Sequence, residues 1–205
     1  MKKFEFTGET KTLFDGTVLH RIKALVRIES NAGNIKVGDI GGWIEKEDNL
    51  SHDGNAWVSG KAEVYGDARV FGNAWVYGDA RVFGNAWAYG KAEVYGNAWV
   101  YGDTEVYGNA RVSDNAWVYG DAEVFRMEHY LVMGPIGSRN AFTTFFRTKD
   151  RKIKVACGCF LGTIDEFLAK VEQTHGDSKH AKVYRAAVEV ALAQLEDIER
   201  RNGNG

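Results

Sequence analysis

The sequence predicts a mainly β protein: a parallel β-helix of about four coils, with an N-terminal β cap before it and a small C-terminal α+β module after it. Three observations predict this. A six-residue unit, Gly-(Asn/Asp)-Ala-x-Val-x, runs without insertion from Gly54 to Phe125. Its two inward positions hold small apolar residues, so the core must be thin. After Phe125 the pattern stops, and ordinary strand and helix periodicities take over. The chain therefore divides into a cap over 1–50, a rod over 51–125 and a module over 126–205.

In the cap, Phe4 to Phe6 and Thr17 to Ile28 read as short strands, followed by the turn-rich Asn31-Ala-Gly-Asn34 and Gly41-Gly42-Trp43. A solenoid has an apolar end that needs covering, and this segment is placed to cover it.

In the rod, valine holds its position in every unit except at Ala88, and alanine holds its own except at Thr104. The four residues Ala-x-Val-x alternate with strand period, so Ala and Val share the inner face. The other two residues must turn the chain. Gly fills the first corner position except at Asp114, and Asn or Asp fills the second except at Lys61 and Lys91. These residue types tolerate positive φ at least cost. Short strands, two-residue corners and a thin core describe a triangular prism with three units per coil.

Outward residues 18 apart should then stack as ladders. Trp57 falls over Trp75, Glu63 over Arg81, Glu93 over Arg111 and Trp99 over Trp117, while the third face reads Arg69, Trp87, Glu105, Glu123. The position after each valine is aromatic in ten of twelve units, Tyr77 and Tyr101 among them. Rings stacked in this way would stabilise the ladders. An exposed aromatic coat would also make an oligomer or partner surface, with Trp57, Trp75, Trp87, Trp99, Trp117, Tyr77 and Tyr101 as its candidates; stacking of bases or sugars is a third reading, which the acidic rod disfavours for phosphate-bearing ligands.

The spacing Val-x-Gly-Asp-Ala-x resembles the hexapeptide repeat of the left-handed β-helix acyltransferase superfamily. That resemblance implies left-handed winding and a homotrimer. Arg21-Ile-Lys-Ala-Leu25, Gly38-Asp-Ile-Gly-Gly-Trp43 and Asn49-Leu-Ser51 resemble the N-terminal portion of hexapeptide-repeat proteins of bacteriophages and prophages, which implies a phage origin.

In the module, His129–Met133, Ala141–Thr148 and Lys152–Phe160 read as three strands. Thr163-Ile-Asp-Glu166 is a capping box that opens a helix, and Gly176 ends it. A second helix, from about Ser178 to Arg200, carries Tyr184, Val188, Leu192, Leu195 and Ile198 on one stripe, suited either to covering the three-stranded sheet or to pairing with a partner helix. Gly134-Pro-Ile-Gly-Ser-Arg-Asn140 is the candidate ligand segment: Ser138, Arg139 and Asn140 could bind a phosphate or carboxylate, with His175 a further candidate. The competing reading of this segment is a plain strand connection. Cys157 and Cys159 lack a second pair of ligands for zinc and read as two buried free thiols, so neither a metal nor a cofactor is expected.

The formal net charge is −2, with 26 basic and 28 acidic residues, which provides no field for nucleic acid or an anionic membrane. No segment resembles a membrane span or a signal peptide, so a cytoplasmic protein is expected. The acyltransferase family uses a histidine base and a loop that interrupts the coils. Between Asp53 and Glu128 this chain has neither, and His52 and His129 flank the rod. The expected function is non-catalytic: an oligomeric rod presenting a module that engages a host macromolecule or sequesters a small nucleotide, as a counter-defence inhibitor would. A hexapeptide acyltransferase and a structural phage assembly protein are the alternatives.

Overall fold

The computed structural model describes residues 1–30 and 33–196. The N-terminal part forms β1 (Phe4–Thr12), β2 (Val18–Ala24), β3 (Ile28–Ser30), β4 (Gly33–Ile35) and β5 (Ile40–Ile44), followed by a 3-10 turn at Glu47–Asn49. Two-residue rungs then recur every six residues, from β6 (Trp57–Val58) to β17 (Glu123–Val124). They form three parallel sheets whose partners are 18 residues apart: Trp57 pairs Trp75, Arg81 pairs Glu63, Glu93 pairs Arg111 and Trp99 pairs Trp117. The protein is a parallel β-solenoid with helices at its C-terminal end.

The rungs are shorter than the four-residue strands expected. The alanine N–H turns back to the carbonyl of the ring-bearing residue three positions earlier, as Ala74 does to Phe71 and Ala98 to Tyr95. That bond makes alanine part of the corner. The corner glycines lie at φ between 64° and 75°, and Asp114 adopts 62° in the same place. Every inward valine and alanine, and Thr104, is buried.

The solenoid also begins earlier than the hexads suggest. Trp43 and Ile44 of β5 pair in parallel with Glu63 and Val64, and Leu50 bridges to Val70. About five coils result, rather than four. The Gly41-Gly42-Trp43 segment, expected as a turn, is strand β5. A Cβ on Gly42 would sit 2.7 Å from Val58 Cγ1 and 2.8 Å from the Ala62 carbonyl oxygen, so this glycine serves close packing.

Four antiparallel strands follow: β18 (Tyr130–Ile136), β19 (Ala141–Arg147), β20 (Ile153–Cys157) and β21 (Phe160–Thr163). The expected third strand is thus two, because the chain reverses at Gly158 (φ 60°). The same reversal corrects the reading of the cysteines: Cys157 is half-buried on β20, whereas Cys159 is exposed in the turn. Alternation gives the sheet two jobs. Phe146 and Ala156 join the rod's core, while Phe145 and Val155 face the helices α1 (Ile164–His175) and α2 (Lys179–Glu196). The capping box at Thr163 and Glu166 opens α1 as expected, Gly176 caps its end, and Tyr184, Val188 and Leu195 of α2 cover the sheet. Residues 31 and 32 of the expected turn lie outside the described residues, as do Ile198 and Arg200 of the expected helix end.

Candidate functional site

The candidate ligand segment is a hairpin. Gly134 to Ile136 complete β18, and residues 137–140 turn into β19, with Asn140 at φ 50° closing the turn. Three of the four residues singled out there gather around one phenol. Ser138 and Arg139 lie near the Tyr184 hydroxyl, and the His175 ring stacks on Tyr184 at 5.8 Å. A Cβ on Gly137 would collide with that hydroxyl. Burial first, and then the Cys157 thiol, push Tyr184 up to about 12. The cluster ties hairpin, sheet and helices together. Asn140 stands apart from it and serves the turn.

The aromatic surface is smaller than the sequence suggests. Trp57 and Trp75 are buried, at 0% and 4% exposure, so they offer nothing to a partner. The chain's own N-terminal strands cover them: a Cβ on Gly33 would lie 3.3 Å from the Trp75 ring, and one on Gly41 2.8 Å from the Trp57 ring. Trp99 is half-buried between Arg81, 5.0 Å from its ring, and Trp117, stacked at 5.3 Å. Tyr77 stacks on Tyr95 and donates a hydrogen bond to Glu93 at 2.9 Å. Tyr101 lies between Phe83 and Tyr119 at 4.7 and 4.6 Å. Trp87 and Trp117 remain open, at 41% and 38% exposure.

Around Trp87 the structure forms a groove that was not singled out from the sequence. Its volume is about 450 Å3, and Glu47, Asp48, Leu50, Ser51, His52, Arg69, Val70, Phe71 and Trp87 line it. It arises from a break in a ladder. Phe71, Tyr89, Tyr107 and Phe125 stack ring on ring at 4.9 to 5.3 Å. One coil earlier the Ser51 N–H donates to the Val70 carbonyl at 2.9 Å, so a serine stands where the next ring would be. Trp87 meets Phe71 edge-on at 5.8 Å and forms the second wall. The 18-residue register applied to Phe71 falls on Asp53, so the absence of a further ring was legible in the sequence, but the structure puts Ser51 in that place because the chain enters the ladder through Leu50 paired with Val70.

The polar rim is held by cap residues. Glu47 pairs with Lys2 at 2.6 Å, and the Lys2 ammonium holds its carboxyl below the usual carboxylate range. The His52 Nδ1 accepts from the Lys3 backbone N–H at 3.1 Å, its ring stacks on Phe4 at 4.3 Å, and its Nε2 lies 3.6 Å from Glu47. Asp48 and Arg69 are exposed, and Arg69 forms no ion pair among the described residues. At the other end of the rod His129 is fully buried, and its Nδ1 accepts from the Phe125 N–H at 3.5 Å. Burial, then Arg147 and Arg126, lower it to about 4. Among the described residues no three His, Cys, Asp or Glu side chains converge to hold a metal.

Compared with known families, the chain is similar to the YdcK beta solenoid repeat over residues 62–78, 74–90 and 106–122, all within the hexad tract. A search of curated proteins returns no match.

Proposed function

We propose that this protein is a non-catalytic binding protein built on a left-handed rod of the hexapeptide-repeat kind, in which the groove beside Trp87 takes the ligand. One observation carries the reading: neither histidine flanking the rod has a lone pair free for catalysis. In His52 the Nδ1 lone pair is engaged by the Lys3 N–H, which puts the proton on Nε2, facing Glu47. In His129 the Nδ1 lone pair is engaged by the Phe125 N–H inside the fold. A general base for acyl transfer needs an open nitrogen with a pKa near working pH, within reach of the substrate. What is left exposed is a rim of hydrogen-bonding groups around an aromatic corner, which is binding chemistry.

In this proposal the C-terminal module acts first as the plug of the rod, and the outer faces of its two helices are left for a macromolecular partner. Homotrimeric assembly, implied by the repeat, belongs to the same proposal. Acetyl-CoA hydrolysis and transfer assays on the purified protein test it: no turnover above the buffer rate is expected. Turnover abolished by His52→Ala or His129→Ala would restore the acyltransferase reading.

A further inference from the structure

The geometry points to a neutral saccharide as the ligand of the groove, with one pyranose ring seated on the open face of Phe71. This rests on the non-catalytic binding reading of the same groove and names its ligand class. Phe71 is the first ring of its stack, and Ser51 leaves its outer face uncovered, so the vacant place is that of one more ring at strand spacing. Trp87 stands at 79° to Phe71, which makes a corner of two aromatic walls. The axial C–H bonds of a pyranose pack against such faces, while its hydroxyls point outward to the rim.

The rim matches hydroxyls in kind. Glu47 and Asp48 accept hydrogen bonds, Arg69 donates them, and the Ser51 hydroxyl, whose oxygen already accepts from the Asp53 N–H at 3.1 Å, keeps its proton to donate. Charge decides against a phosphorylated ligand. Lys2 neutralises Glu47, and Asp48 and Arg69 cancel, so the groove carries no net charge. Residues 51–125 hold ten acidic and five basic side chains, a field that repels phosphate. A purely apolar ligand would strip water from the same four polar groups and give them no partner.

Saturation-transfer NMR and tryptophan fluorescence with methyl β-glucoside, cellobiose and N,N′-diacetylchitobiose test the assignment, with adenosine monophosphate as the charged comparison. At least one saccharide should receive saturation at its ring C–H protons and quench fluorescence. Trp87→Ala should weaken it at least about tenfold, as should Arg69→Ala, whose side chain is exposed and makes no ion pair among the described residues. Trp117→Ala, exposed elsewhere on the rod, should leave binding unchanged. No transfer to any of the three saccharides, or binding unaffected by both groove variants, overturns the inference. Adenosine monophosphate binding that depends on Trp87, without saccharide binding, also overturns it but leaves the binding reading standing. Acetyl-CoA turnover would instead bring down that reading itself.

Discussion

At the scale of single residues, this fold assigns sharply different tasks to side chains of similar type. Asp114 sits at φ 62°, where every other hexad has glycine, and its carboxylate accepts from the Ser113 hydroxyl at 2.9 Å. A left-handed conformation costs a non-glycine residue about 1 kcal/mol. Asp114→Gly is therefore expected to raise stability by roughly 0.5–1 kcal/mol, read as a higher denaturant midpoint. His129 ties stability to pH. Its folded pKa, about 4, lies below the ordinary value, so as pH falls the unfolded chain takes up the proton first. Stability should decline from about pH 6.5 to about pH 4, by roughly 2–3 kcal/mol, with no further loss from this group below that. Urea unfolding at pH 7 and pH 4.5 checks this, and His129→Phe should flatten the dependence even though it lowers stability at neutral pH.

At the scale of the element, the rod has polarity. Each coil's N–H groups point to the next coil, and its carbonyls point to the previous one, as in Trp57 to Ala74 and Glu93 to Ala110. The first coils therefore leave carbonyls open, and the last coil leaves N–H groups open, much as the two ends of a helix do. Side chains answer both needs. The Lys3 ammonium donates to the Ala56 and Gly54 carbonyls at 2.7 and 3.4 Å, and the Asn49 amide donates to Ala68 and Gly66 at 2.8 and 3.1 Å. At the far end Tyr130, Thr144 and His129 accept from the N–H groups of Ser113, Trp117 and Phe125. Asn49→Leu would leave the buried Ala68 carbonyl and the part-buried Gly66 carbonyl without this donor and is expected to cost about 2–4 kcal/mol, whereas the exposed Asn73→Leu should cost under about 0.5 kcal/mol; thermal melts compare them.

At the scale of the whole molecule, the two caps cover the ends of the rod. An uncovered end would present a triangular set of parallel strand edges and an apolar core cross-section, which is a template for end-to-end growth. A chain stopped after Phe125 is expected to form aggregates, seen as polydisperse mass in light scattering, while the full chain gives a single species. If that species is a trimer joined through the exposed Trp117 and Phe142, which line one hollow, then Trp117→Asp should reduce its mass to that of one chain. An unchanged mass would place the contact elsewhere.

Periodicity determined the rod without help from the tertiary structure. The 18-residue register, the inward valines and the glycine corners follow because each coil repeats the same local problem, and the hexads solve it the same way every time. The capping box at Thr163 and the stop at Gly176 were legible for the same reason, being local hydrogen-bond chemistry. What only the tertiary structure decided lies where distant segments meet: the burial of Trp57 and Trp75 under β5 and β4, the extra coil begun by β5, the split of the last strand, and the groove beside Phe71. Each depends on which of several apolar surfaces the non-repeating ends choose to cover. That choice is set by the summed packing of residues far apart in the chain, and no short-range pattern encodes it.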